Sequence, residues 1–202
     1  MSVNLVKGQK VELRKESGDT LNRVIVGLGW DEADQKPGGF LKGLFGGGSN
    51  SNSIDCDASA FVLQNGKLMS NSDVVYYANL THSSGAVQHM GDNLTGAGDG
   101  DDEQIVVDLQ KLPQSYDKIV FVVNVFACRE RGQHFGMIRN AFIRICDERG
   151  TEMCRYNLSE NYEGMTAMIF GELYRYNGSW KFSAIGQPTQ DAKVSELANR
   201  YR

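Results

Sequence analysis

The sequence predicts an all-β fold, a β-sandwich of two mainly antiparallel sheets with a short C-terminal helix. Three observations predict it. Apolar residues recur mostly with a period of two, in short runs separated by Gly, Asn, Asp and Pro. No strand–helix alternation of the kind that builds a parallel sheet runs through the chain. A convincing helical stripe occurs only at the C-terminus.

Taken in order, residues Leu5 to Arg14 alternate around the turn-like Lys7-Gly8. Asn22 to Trp30 reads as a strand whose glycines, Gly27 and Gly29, mark a bend or the close approach of another backbone. Residues 31–53 hold Lys36-Pro37-Gly38-Gly39, three consecutive glycines from Gly46 and the run Ser49 to Ser53. This is a Gly/Ser-rich insertion at about 36–53, expected to be mobile, with Phe40, Leu41, Leu44 and Phe45 as a small apolar anchor. Ala58 to Leu63 is the next strand and closes on Asn65-Gly66, a hairpin signal, with Val74 to Tyr77 as its neighbour. Ile105 to Leu109 follows, then Ile119 to Val125, whose unbroken apolar character predicts burial on both faces. Ala141 to Cys146 alternates and turns at Asp147 to Gly150 into Glu152 to Tyr156. Ala167 to Tyr174 and Trp180 to Ile185 form a hairpin through Tyr176-Asn177-Gly178. Val194, Leu197, Ala198 and Tyr201 fall at i, i+3, i+4 and i+7, the apolar stripe of a closing helix.

A length of 202 residues suits one domain, 1–202, with a full-sized core. The net charge of -4 argues against a nucleic-acid partner, and none is expected. No apolar run approaches the roughly 20 residues of a membrane helix, and the N-terminus has no signal-peptide core. The four cysteines (Cys56, Cys128, Cys146 and Cys154) are dispersed without CxxC spacing, as in a reduced cytoplasmic protein.

The chemistry concentrates in Gly91 to Glu103, GDNLTGAGDGDDE, where Asp92, Asp99, Asp101, Asp102 and Glu103 are interleaved with glycines. Carboxylates this close repel unless a cation lies among them. Glycines let the backbone turn and aim carbonyl oxygens inward, and an all-oxygen donor set suits calcium or magnesium. No Lys or Arg occurs between Lys67 and Lys111, so neutralisation by sequence-local cations is excluded and only a distant basic group could fold back. Asp55-Cys56-Asp57 at the entry of a strand offers two more carboxylates to the same cations.

Competing patterns fit less well. Asp92 and Glu103 stand at the first and last places of a twelve-residue EF-hand window, yet its third and fifth places hold Leu94 and Gly96 and its sixth is Ala97. A phosphatase-type DxD follows a buried strand and precedes a helix, whereas Asp55-Cys56-Asp57 follows a Ser/Asn linker and precedes a strand. Cys128 lacks the Arg six residues on that would close a cysteine-phosphatase loop, position 134 being His. Neither His82 nor His89 stands near a GxSxG nucleophile. The enzymatic alternative is a metal-dependent phosphohydrolase or nucleotide-handling enzyme using the same carboxylates; the reading adopted is a non-enzyme.

These residues resemble the TerD family of tellurium-resistance and general-stress proteins. The likeness runs through Val3 to Lys10, Val26 to Asp31, Asp55 to Phe61, Val87 to Gly96 with Gly98 to Glu103, Gly171 to Tyr174 and Trp180 to Phe182. The resemblance implies a calcium-binding β-sandwich in which the DxDAS and GDN…GDGDDE elements jointly hold the metal. It implies ligand roles for Asp55, Asp57, Asp92, Asn93, Asp99, Asp101, Asp102 and Glu103. It further implies a stress-response module of tellurite resistance, partnered by other tellurium-resistance proteins in a membrane-associated complex. The departure is the Gly/Ser-rich insertion before Asp55, where many relatives have a short turn, and it bears on partner contacts. The seven carboxylates of that set would keep five uncompensated charges with one calcium and three with two, so two Ca2+ ions sharing bridging carboxylates are expected.

Overall fold

A computed structural model describes residues 2–15, 18–32, 54–92 and 100–202, the side chains of Glu32 and Asp92 excepted. The Gly/Ser-rich insertion lies outside the described residues. Among the described residues twelve strands are present: β1 (Val3–Leu5), β2 (Lys10–Glu12), β3 (Arg23–Glu32), β4 (Cys56–Leu63), β5 (Val74–Val75), β6 (Val87–Asp92), β7 (Glu103–Asp108), β8 (Lys118–Val125), β9 (Ile138–Asp147), β10 (Glu152–Asn157), β11 (Ala167–Tyr176) and β12 (Ser179–Thr189). Among the described residues there are also two short α-helices, α1 (Cys128–Arg131) and α2 (Val194–Ala198), and three 3-10 turns.

The strands form two six-stranded sheets, in the orders β1-β10-β9-β3-β7-β6 and β2-β12-β11-β8-β4-β5. Every described pairing is antiparallel except that of β1 with β10. Strand alternation explains the core. On β8, Ile119, Phe121, Val123 and Val125 point between the sheets, while Val120 and Val122 point out of the sandwich. That outer face is covered by the C-terminal stripe, where Leu197 and Ala198 are buried and the Tyr201 ring meets Phe61 edge-on at 5.7 Å. The continuous apolar run is therefore buried on both sides, one by the opposite sheet and one by α2. Phe61, Phe121, Phe170 and Phe182 are fully buried, each contributing about 1.5–3 kcal/mol by burial.

Turn chemistry sets the register. Asn65 and Gly66, and again Asn177 and Gly178, all have positive φ, as a two-residue hairpin connection requires. The second turn joins Tyr176 to Ser179 and registers β11 against β12.

Two local features go beyond the sequence expectation. Leu5 to Arg14 turns at Lys7-Gly8 as expected, but the chain also crosses between sheets there, sending β1 to the first sheet and β2 to the second. Gly8, at φ 82, supplies the left-handed residue for that crossing. Residues 87–92 form a strand that the pattern hid, since His89 points inward and Met90 is 60% exposed. Cys128 opens a single helical turn and is buried, which agrees with setting aside the cysteine-phosphatase loop.

Candidate metal site

Both acidic segments reach the same end of the sandwich, from opposite sheets. Asp55 and Asp57 stand at the entry of β4 and Asp101 to Glu103 at the entry of β7. Asp92 ends β6, and its backbone pairs with Glu103.

Glu103 makes the direct link. Strand alternation points it inward with Ile105 and Val107, and its carboxylate accepts a hydrogen bond from the Ala58 backbone N–H at the edge of β4. His89 Nε2 lies 3.5 Å from the same carboxylate, and both side chains are buried. His89 Nδ1 accepts from the Gly91 N–H at 3.1 Å, which leaves the ring proton on the nitrogen that faces Glu103.

Asp102 latches the other side. Its backbone N–H donates to the Leu28 carbonyl at 2.8 Å, and its carboxylate accepts from the Trp30 N–H at 2.7 Å. Desolvation pushes the Asp102 carboxyl above its ordinary range, and the charges of Asp31 and Asp101 push it the same way against the Trp30 bond. The Cys56 thiol lies where the charges converge. Burial and the carboxylates of Asp55, Asp57, Glu103 and Asp102 drive it well above the usual thiol range, so it stays protonated.

Asp101 is held differently. Arg144 donates to both of its oxygens, Nε to Oδ1 at 2.7 Å and Nη2 to Oδ2 at 3.1 Å, while Gln104 donates to Oδ2 at 2.9 Å. These groups lie on the outer face of the first sheet above Gly27, where an added Cβ would overlap the Asp101 carboxyl. At Gly29 a Cβ would strike the Phe142 ring and approach the Gly100 carbonyl. The two glycines of β3 thus make the notch that seats residues 100–102.

Asn93, Asp99 and the side chain of Asp92 lie outside the described residues. Among the described residues no group of three His, Cys, Asp or Glu side chains is arranged to hold an ion. The donor chemistry nevertheless fits a hard divalent cation, because Asp55, Asp57, Asp102 and Glu103 are all oxygen donors. One oxygen missed in the sequence adds to this fit. Asn124 on β8 is the cross-strand partner of Asp57 and is 3% exposed. Its Oδ1 is buried with no hydrogen-bond partner. Both residues line a groove of ≈ 670 Å³ with Tyr76, Tyr77 and Phe126. The charge of Asp57 helps raise the Tyr77 hydroxyl above its ordinary value, after desolvation, so the two share that space. Asn124 could supply a neutral oxygen to a cation held at Asp57.

A nucleophile–base arrangement elsewhere is accounted for by packing. His82 Nε2 lies 3.2 Å from the buried Asp73 carboxylate, and Nδ1 meets the Ser84 hydroxyl at 2.7 Å. Nδ1 also accepts the Ser84 backbone N–H at 3.2 Å, a tight local turn. Asp73 accepts further from Tyr116 and from the Met69 and Ser70 N–H groups, which ties three loops together.

The TerD domain family model matches residues 1–201. The chain belongs to the TerD family. Stress response protein SCP2 of Bacillus subtilis (strain 168) is 48% identical over 202 residues, covering 100% of both chains. Tellurium resistance protein TerD of Serratia marcescens is 46% identical over 189 residues, 93% of this chain and 91% of that one. The crystal structure of a homologue of telluride resistance protein (TerD) from Streptomyces coelicolor A3(2) superposes with a TM-score of 0.63 over 90% of this chain and 98% of that one; at 19% identity it shows the fold. The TerD assignment and the two-sheet architecture with its short C-terminal helix agree with the sequence expectation. The names of the TerD relatives denote resistance and stress response, not a reaction. Among the described residues of this TerD chain, no helix is long and apolar enough to cross a membrane.

Proposed function

We propose that this TerD-family protein is a calcium-binding stress-response module of the tellurite-resistance type. It works in the cytoplasm as a binding component of a larger complex with other tellurium-resistance proteins, some at the membrane, and not as a catalyst. The supporting observation is the tie between the two acidic segments: Glu103 of one sheet bonds across to Ala58 of β4, the strand that Asp55 and Asp57 lead into in the other. The Asn124 oxygen, buried without a partner beside Asp57, adds a neutral donor of the kind calcium takes. Calcium would add positive charge to this crowding of carboxylates. The site would then couple the two sheets, giving a partner a surface that depends on the ion.

Calorimetric titration of the chelator-stripped protein tests the reading. Uptake of two calcium ions per chain is the expected result. Saturation at one ion contradicts the bridged pair, and absence of binding contradicts the calcium reading altogether.

A further inference from the structure

We propose that Asp101 is the anchor of the acidic loop and not one of its metal ligands, and that Arg144 positions the loop through it. The inference rests on the calcium reading and divides the carboxylates of that site by role. Both Asp101 oxygens are already engaged, Oδ1 by Arg144 Nε and Oδ2 by Arg144 Nη2 and Gln104 Nε2. The Asp101 side chain is 1% exposed. A cation taking both oxygens would displace the guanidinium from a bidentate pair and leave it without its bound carboxylate in a partly buried place.

Arg144 is itself fixed from the far side. Its Nη1 lies 3.5 Å from Glu152 Oε2, and Glu152 also holds Arg155 at 3.0 Å. The Arg155 guanidinium packs 3.9 Å over the Phe142 ring. Arg144 and Arg155 are register partners on β9 and β10, and Gly27 of β3 is the register partner of Arg144. Asp101 therefore meets Arg144 of β9, Gly27 of β3 and Gln104 of β7, three adjacent strands of the first sheet. Its neighbour Asp102 differs, since it bonds the backbone of Trp30 and lines a depression with Trp30, Asp31 and Gly100. Fixing Asp101 in advance holds the adjoining Asp102 and Glu103 in place before an ion binds.

Calcium titration and chelator-state melting of Asp101→Asn, Arg144→Met, their double variant and Gly27→Ala test the assignment. Gly27→Ala keeps every charge and removes only the notch. Each variant is expected to bind as many ions as wild type with affinity lower by about tenfold, as for residues that support ligands without touching the ion. The double variant should be no worse than either single one, and all should melt lower than wild type in chelator. Loss of one ion in Asp101→Asn with wild-type affinity in Arg144→Met would make Asp101 a ligand and overturn the proposal. Unchanged affinity in every variant would leave the pair merely structural and overturn it equally. Should wild type itself bind no calcium, the calcium reading fails, and the melts still decide the anchor. Equal, non-additive losses support it, and a higher melting temperature in Asp101→Asn sinks it.

Discussion

Asn124 shows what a single residue can conceal in a sequence. It is the one polar side chain within Ile119 to Val125, a run whose apolar character announced burial but not a donor. Its significance comes from register, because only the pairing of β4 with β8 places it beside Asp57. A buried carbonyl oxygen without a partner costs about 1–3 kcal/mol. Asn124→Leu should therefore raise the melting temperature in chelator by several degrees, at roughly 2–4 °C per kcal/mol for a chain of this size. The same variant should weaken calcium binding. Paired melts and titrations read both effects, and lower stability in chelator would show that the oxygen is satisfied in solution. Arg144 was equally hidden. The lack of Lys and Arg between Lys67 and Lys111 left room for a distant basic group to fold back, but sequence alone could not choose among the basic residues beyond. The fold brings in Arg144, an outward residue of an alternating strand, across 43 positions.

At the scale of elements, legibility followed periodicity. The hairpin at Asn177-Gly178 and the stripe Val194, Leu197, Ala198 and Tyr201 obey local rules and appear where the pattern places them. β1 and β2 do not, because their separation depends on partners well over a hundred residues away, β10 and β12. β6 was obscured because an inward His89 and an outward Met90 invert the usual pattern. The C-terminal element also carries a pH signature. Burial pushes the Tyr201 hydroxyl up to about 12, and the Tyr201 carbonyl accepts from Leu68 N–H at 2.7 Å. A raised folded-state value means that the neutral ring favours folding. Its contribution is complete below the ordinary tyrosine value near 10 and is lost as pH rises from there through about 12. Melting temperatures measured from pH 9 upward should fall more steeply for wild type than for Tyr201→Phe, and parallel slopes would contradict the linkage.

For the whole molecule, two sheets meet at an end crowded with negative charge, and the acidic segments that meet there are far apart in the chain. The sequence singled out these carboxylates as candidates, because their density between glycines has no rationale in strand packing. It could not reveal their orientation. Strand alternation turns Glu103 inward to Ala58, the Gly27 notch draws Asp101 to Arg144, and pairing with β8 sets Asp57 beside Asn124. In the unfolded chain these groups are separated, so that state should bind calcium far more weakly than the native one. Binding then stabilises the fold by about 2.7 kcal/mol per site at free ion a hundredfold above the dissociation constant. The most direct test is the melting temperature of the stripped protein with calcium, with magnesium and with chelator. Each calcium site filled should raise it by roughly 5–10 °C over chelator, and magnesium, which prefers rigid octahedral sites with retained water, should raise it less at equal concentration. A melting temperature that calcium leaves unchanged would contradict both the linkage and the site.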